Sequence, residues 1–332
     1  MAELDELYDV VIIGGSAAGL TAAMYSARQG LRTLVVTKDI GGQMLLTNDI
    51  QNYPGYQSIS GFELSTKLKE QAELYGTQFA YEEVTDVEEN RECPGLCFTV
   101  RTSGGMYTGT TVILAFGKTP RNLGVPGEKE LNGRGVSYCA VCDGPLFRGK
   151  IVTVVGTGDQ ALDAVNYLAN VVKSVYLVHQ YDRPIGSEEY ISQVLALPNV
   201  KAVPNSRVIE LRGNGNLGSV ILENTVSKER TELESDGIFV EIGYFAKTDV
   251  VEKLVRLNGK EIAVDREGRT SMPGVFAAGD VTDIAFKQAV ISAAQGASAA
   301  LSAYNYVQRM RGKTSARADW RSVKPVVRAG GN

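Results

Sequence analysis

Apolar residues along this chain come in short runs closed by glycine, and the runs alternate with stretches of helical spacing. Tyr8 to Ile13 is one such run, and Gly14-Gly15-Ser16-Ala17-Ala18-Gly19 follows at once. Leu20 to Gln29 carries apolar positions at helical spacing with many alanines, Gly30 stops it, and Leu31 to Thr37 is a second apolar run. Strand, glycine turn, helix and strand in this order make a βαβ unit with a phosphate-binding turn. The device recurs. Ile151 to Val155 is a strand, Gly156-Thr157-Gly158-Asp159-Gln160-Ala161 the turn, Ala161 to Val171 a helix and Val175 to Val178 the next strand.

Two such units predict the α/β class, with two Rossmann-like three-layer nucleotide-binding domains in one chain. Gly274-Val275-Phe276-Ala277-Ala278-Gly279-Asp280 is again a strand running into a glycine turn, and an alanine-rich helix, Gln288 to Tyr306, comes after it. With no fingerprint of its own, this strand should complete an existing sheet. The pattern therefore predicts a discontinuous first domain, residues 1–122 and 247–311, and a second domain, residues 123–246, inserted into it. Residues 312–332 read as a polar tail holding the only tryptophan, Trp320.

Composition narrows the function classes. The 332 residues are 44% apolar and 22% charged, which suits a soluble globular protein with a real core. A net charge of −4 gives no electrostatic reason to bind nucleic acid or an anionic membrane, and no apolar run approaches the length of a membrane span. The acidic stretch Met1 to Asp9 is neither a secretory signal nor a basic transit peptide, so a cytoplasmic, reducing compartment is expected. There a Cys-x-x-Cys pair is more often catalytic or metal-binding than structural.

Cys139-Ala140-Val141-Cys142-Asp143 is such a pair, placed between the two fingerprints. Cysteines this close can cycle between dithiol and disulfide, a helix start stabilises the thiolate, and the adjacent carboxylate can move the proton that exchange requires. Cys93 and Cys97 flank a Pro94-Gly95 turn between strands and are expected to be surface thiols or an incidental disulfide. The lone His179 is far from both pairs in sequence, so no metal site is expected. In the first fingerprint Ser16 stands where a glycine is usual, small enough to keep the backbone near a pyrophosphate, and Thr37 and Lys38 stand where an acidic residue is usual.

Several further motifs occur in a fixed order: Gly41-Gly42-Gln43, Asn52-Tyr53-Pro54-Gly55, Ala115-Phe116-Gly117, the Cys139 to Gly144 segment, Gly279-Asp280 and Lys287-Gln288-Ala289. In these the chain resembles the low-molecular-weight thioredoxin reductases, over roughly residues 8 to 310. The resemblance implies a homodimer with FAD in the discontinuous domain. It implies that Gly14, Ser16 and Gly19 hold the pyrophosphate, that Asp280 meets the ribityl chain, and that Gln43, Asn52 and the Gln288-Ala289 backbone lie near the flavin. Ala17, Thr37, Gly42, Val84, Ala115, Gly117, Gly279 and Lys287 complete the implied FAD set. Phe116 departs from the threonine usual there, and Lys287 replaces an arginine. The resemblance also implies that Cys142 faces the flavin, that Cys139 attacks the substrate disulfide and that Asp143 is the general acid/base.

The electron donor is where the chain departs from the pattern. In NADPH-using relatives the strand after the second fingerprint ends in His-Arg-Arg, with another arginine four residues on, and these grip the 2′-phosphate. Here His179, Gln180 and Tyr181 stand in the triplet and Ile185 in the last place. Charged hydrogen bonds contribute about 1.5–3 kcal/mol each, so losing two weakens NADPH by roughly two to four powers of ten. Arg183 beside Pro184 recovers part of this only if the loop shifts, and Asp182 comes too late to select NADH. The Gly156 loop still suits a pyrophosphate.

The expectation is an FAD-dependent disulfide reductase passing electrons through Cys142 and Cys139 to a thioredoxin-like protein, with ferredoxin or another carrier ahead of NADPH as donor. Three alternatives stand beside it: an NAD(P)H-dependent reductase of relaxed nucleotide choice, a flavin dithiol oxidase giving electrons to oxygen, and a non-enzymatic redox-sensing module. For the tail, Trp320 is expected either to stack on the isoalloxazine or to be free.

Overall fold

The computed structural model describes residues 7–46, 50–93, 95–313 and 323–325. Trp320 and the segment around it lie outside the described residues. The chain divides into two compact units, one made of residues up to Lys118 and from Ala246 onward, the other of Thr119–Phe245.

Among the described residues, the first unit is built on a seven-stranded sheet. Strands Gln78–Tyr81, Thr33–Thr37, Tyr8–Ile13 and Met106–Leu114 lie side by side and parallel, and Val275–Ala277 joins Met106–Leu114 in parallel register through Val275 and Val112. The C-terminal strand thus completes the first sheet, as its lack of a fingerprint predicts. Cys97–Thr102 and Val84–Asn90 extend Met106–Leu114 as an antiparallel meander.

The opening strand shows why it reads as an unbroken apolar run. Alternate residues face opposite sides of a sheet, and both sides here are covered. Val10 and Ile12 pack with Ala18, Ala22 and Ala23 of helix Ala17–Arg28 and with Ala299, Ala300 and Ala303 of helix Ala289–Met310. Val11 and Ile13 pack with Val87, Phe98 and Val100 of the meander. The alanines allow the two helices to approach closely. A methyl on Gly296 would stand 2.1 Å from the Ala18 carbonyl oxygen, so that position admits only glycine.

Helix limits move relative to the sequence pattern, the second-fingerprint helix running Asp159–Ala169 where Ala161 to Val171 is expected. The fingerprint helix starts at Ala17, three residues before the apolar spacing begins, because Ser16 is already its N-cap. The C-terminal helix runs on to Met310, since Val307 still buries its side chain in the core.

The second unit is a Rossmann-like domain in its own right. Among the described residues its five-stranded sheet runs Val200–Val203, Ser174–Val178, Ile151–Gly156, Gly237–Glu241, Val136–Ser137, all parallel. Helix Asp159–Ala169 packs Leu162, Val165 and Leu168 on it. Antiparallel strands Ser206–Asn214, Asn216–Asn224 and Arg230–Glu234 form a separate sheet. The two ends of the unit meet: Thr119–Pro120 pairs antiparallel with Tyr244–Phe245.

Candidate active site

The first fingerprint sits where strand Tyr8–Ile13 ends, and close approach dictates its glycines. Gly14 has φ +115°, and a methyl there would lie 2.3 Å from the Ala115 carbonyl oxygen. A methyl on Gly19 would lie 1.9 Å from the Gly14 carbonyl oxygen. Ser16 N-caps the helix by position, but its hydroxyl makes no capping bond and donates instead to the Gly41 carbonyl at 2.6 Å. The first-turn amides of Ala17 to Gly19 therefore take no bond from the Ser16 side chain, and the helix dipole adds to their positive potential. No acidic residue lies in that first turn. This donor set suits a pyrophosphate, the group by which FAD would be held.

The other residues proposed for FAD make the following contacts of their own. Thr37 donates to the Asp39 carbonyl and its side chain closes over Gly15. Gly42 accepts the approach of the Ser16 side chain, and its amide donates to Asp39. Gly279 lies against Ala18, with its amide donating to Gln295 at 2.9 Å. Asp280 follows, accepting from Ser292 at 3.2 Å. Asn52 donates to Gln288 at 3.0 Å, so the residue before Ala289 is tied to the Asn52 loop. Gln43 donates to the Lys118 carbonyl, just past Gly117. Val84 follows Glu83, whose carboxylate pairs with Lys38 at 2.6 Å just beyond Thr37. Lys287 is committed elsewhere: it pairs with Glu261 at 3.2 Å and donates to the Thr282 carbonyl.

In the second unit Cys139 and Cys142 are joined in a disulfide. Cys139 is the N-cap of the one-turn helix Ala140–Asp143, and its sulfur accepts the Cys142 amide at 3.0 Å. A sulfur that already accepts an amide at a helix start is favoured as the thiolate once the bond opens. Ser137 organises the surroundings. Its hydroxyl accepts the Cys139 amide at 3.0 Å and donates to the Asp143 carboxylate at 2.7 Å. The carboxylate is thereby fixed one residue from Cys142. Behind the helix, Gly144 leaves room for Leu168 and Tyr167, which a methyl would meet at 2.9 and 3.0 Å.

The second glycine loop is flanked by its own chain. Thr157 accepts the Ile185 amide at 2.8 Å, which ties the 181–186 segment to the loop. Tyr181 and Ile185 are exposed, Asp182 accepts from Asn205, and Arg183 pairs loosely with Glu188 at 3.5 Å. Gly156 packs on the Glu241 backbone, where a methyl would be 2.1 Å from the carbonyl oxygen. The Glu241 side chain is buried, and burial together with nearby Asp163 pushes its carboxyl up to about 7. His179 is buried as well, and burial holds its imidazole below the ordinary value.

The sequence profile of the pyridine nucleotide-disulphide oxidoreductases matches residues 8–299. The thioredoxin reductase of Treponema pallidum (strain Nichols) is 40% identical over 306 residues, 92% of this chain and 98% of that one. Lactococcus lactis thioredoxin reductase superposes with a TM-score of 0.81 at 37% identity, covering 91% of this chain and 99% of that one. The chain belongs to the low-molecular-weight thioredoxin reductases of that family. A ferredoxin-flavin thioredoxin reductase from Clostridium acetobutylicum is also similar, with a TM-score of 0.52 at 30% identity over 93% of this chain and 100% of that one.

Three residues that organise these segments, Ser137 and Glu128 in the inserted unit and Glu261 in the other, escape the sequence reading. Ser137, two positions before the first cysteine, is a placement from which a hydroxyl can bond the following backbone, so a local signal exists. Glu261 holds both Lys118 and Lys287, and Glu128 accepts the Leu123 and Gly124 amides and the Tyr138 hydroxyl, each at 2.7 Å. The Glu261 pairs join residues far apart in the chain, where no short motif can flag them.

Proposed function

We propose that this reductase takes electrons at a bound FAD, passes them to the Cys139–Cys142 disulfide and delivers them to a thioredoxin-like protein, with a donor other than NADPH. The observation that carries this is the disulfide at a helix start, with Asp143 fixed beside it by Ser137. FAD, held by Gly14, Ser16, Ala17 and Gly19 with Asp280, Gln43 and Asn52 toward the flavin, would supply the electron pair that opens the bond. The chain's own residues do the rest. Asp143 delivers a proton as the bond opens. The Cys139 thiolate, stabilised by the Cys142 amide, attacks a partner disulfide and forms a mixed disulfide. Cys142 then attacks Cys139, which re-forms the internal bond and releases the partner as a dithiol. The assembly proposed is a homodimer.

The donor assignment rests on the second loop. Gln180, Tyr181 and Ile185 offer no cation to a 2′-phosphate, and Arg183 points its charge to Glu188. The Thr157–Ile185 bond holds the segment against the loop, and the Asp163 carboxylate, whose charge is felt at Glu241 behind Gly156, adds negative potential there. The likeness to a ferredoxin-flavin thioredoxin reductase supports a one-electron carrier such as ferredoxin. Anaerobic mixing of the FAD-loaded protein with NADPH or with reduced ferredoxin, following flavin bleaching and then thioredoxin reduction, tests both parts. Bleaching by ferredoxin and slow or absent bleaching by NADPH is expected. Full reduction within seconds at micromolar NADPH overturns the donor assignment, and a colourless protein that refuses FAD overturns the whole.

A further inference from the structure

The second disulfide lies outside the machinery above. Cys93–Cys97 closes the turn between strands Val84–Asn90 and Cys97–Thr102. Those strands are paired up to Asn90 and Cys97, so their backbone ladder already sets the register without the bond. The two sulfurs differ in setting. Cys97 begins its strand and is 3% exposed, whereas Cys93 lies outside the ladder and is only half-buried. A thiolate attacks a disulfide along the S–S axis, so the approach is open at Cys93, with Cys97 as the leaving group.

The bond is also remote from the residues proposed for the flavin. A methyl built on Gly95, inside the disulfide loop, would lie 3.7 Å from the terminal methyl of Met310. Met310 ends the helix Ala289–Met310, and the start of that helix carries Gln288 and Ala289. At 1.5 Å per residue the helix separates its ends by about 33 Å. Direct exchange with a flavin held at that end of the helix is excluded over such a distance.

We infer that Cys93–Cys97 is a second thiol–disulfide exchange site, served by a thioredoxin-like dithiol in solution and not by the flavin. This rests on the proposed function only for the source of that dithiol, which is its product. A thiolate of the dithiol protein attacks the Cys93 sulfur, the Cys93–Cys97 bond breaks, and Cys97 leaves as a thiolate and takes a proton. The second thiol of the dithiol protein then attacks the mixed disulfide and releases Cys93 as a thiol. The pair gains two electrons and two protons, and the dithiol protein becomes a disulfide. The Cys93–Cys97 pair thereby registers the ratio of reduced to oxidised partner.

The test uses the full chain carrying Cys139→Ser and Cys142→Ser, so that only this pair can exchange. Thioredoxin is reduced chemically and freed of reductant, which makes the result independent of whether, and with which donor, the wild type turns over; wild-type turnover is measured separately. After incubation at set ratios of reduced to oxidised thioredoxin, acid quenching and alkylation, peptide mass counts the tags on Cys93 and Cys97. The expected half-point lies at a ratio between about 0.1 and 10. A pair still fully bonded at about a 100-fold excess of reduced thioredoxin overturns the proposal. A thioredoxin lacking its resolving cysteine should trap a mixed disulfide at Cys93, and trapping at Cys97 overturns the assigned direction of attack.

Discussion

Ser137 donates its hydroxyl to the Asp143 carboxylate at 2.7 Å while accepting the Cys139 amide at 3.0 Å. One small side chain thus sets both the proposed proton carrier and the backbone of the attacking cysteine. Ser137→Ala removes a hydrogen bond to a charged acceptor, which contributes about 1.5–3 kcal/mol. Steady-state reduction of thioredoxin should fall by roughly tenfold or more, with the flavin spectrum unchanged. A rate within twofold of wild type would show that Asp143 needs no positioning.

Gly19 is the most crowded point of the first fingerprint, since a methyl would stand 1.9 Å from the Gly14 carbonyl oxygen. Gly19→Ala must push the helix start away from the strand, at a cost of about 3 kcal/mol. The purified variant should carry substoichiometric FAD and melt roughly 5–10 °C lower. Flavin content by absorbance and a thermal scan check both.

Glu128 is buried, and its carboxylate is the acceptor for the Leu123 and Gly124 amides. Burial and the same carboxylate push the Tyr138 phenol upward in pKa. Glu128→Ala strands two amides and a phenol, at about 1–3 kcal/mol each if they stay dry. The urea midpoint should drop, and limited proteolysis should open residues 121–125 faster than in the wild type. Glu128→Gln keeps one acceptor oxygen and should fall between the two.

Glu241 makes stability depend on pH. Burial and Asp163 raise its carboxyl to about 7 from an ordinary 4.5, so between those values the folded chain binds more protons than the unfolded one. Stability on this account is highest below pH 4.5 and declines as pH rises through 7, by about 3 kcal/mol at most. Glu241→Gln should therefore raise the melting temperature at pH 8 and leave it nearly unchanged near pH 5. Equal shifts at both pH values would locate the effect elsewhere.

The parts of this fold that could be read in advance share one cause. Tyr8 to Ile13 and Ile151 to Val155 are covered on both sides, so burial writes an unbroken apolar run into the chain, and each run ends on a glycine turn with a steric reason. The antiparallel strands Ser206–Asn214 and Arg230–Glu234 expose much of their length and left no such run. At the first fingerprint, Gly14 is visible because local backbone chemistry dictates it. The grip of Glu261 on Lys118 and Lys287 is not, because it depends on tertiary placement alone.

Thr119–Pro120 and Tyr244–Phe245 lie side by side as paired strands. The inserted unit therefore begins and finishes within one strand spacing, about 4.8 Å. A module with its ends together can be spliced into a host chain, or cut out of it, without either partner having to unravel. That geometry makes residues 119–245 exchangeable as a cassette: a gene could acquire a different nucleotide unit, or retire an old one, while the host sheet keeps its own order of strands.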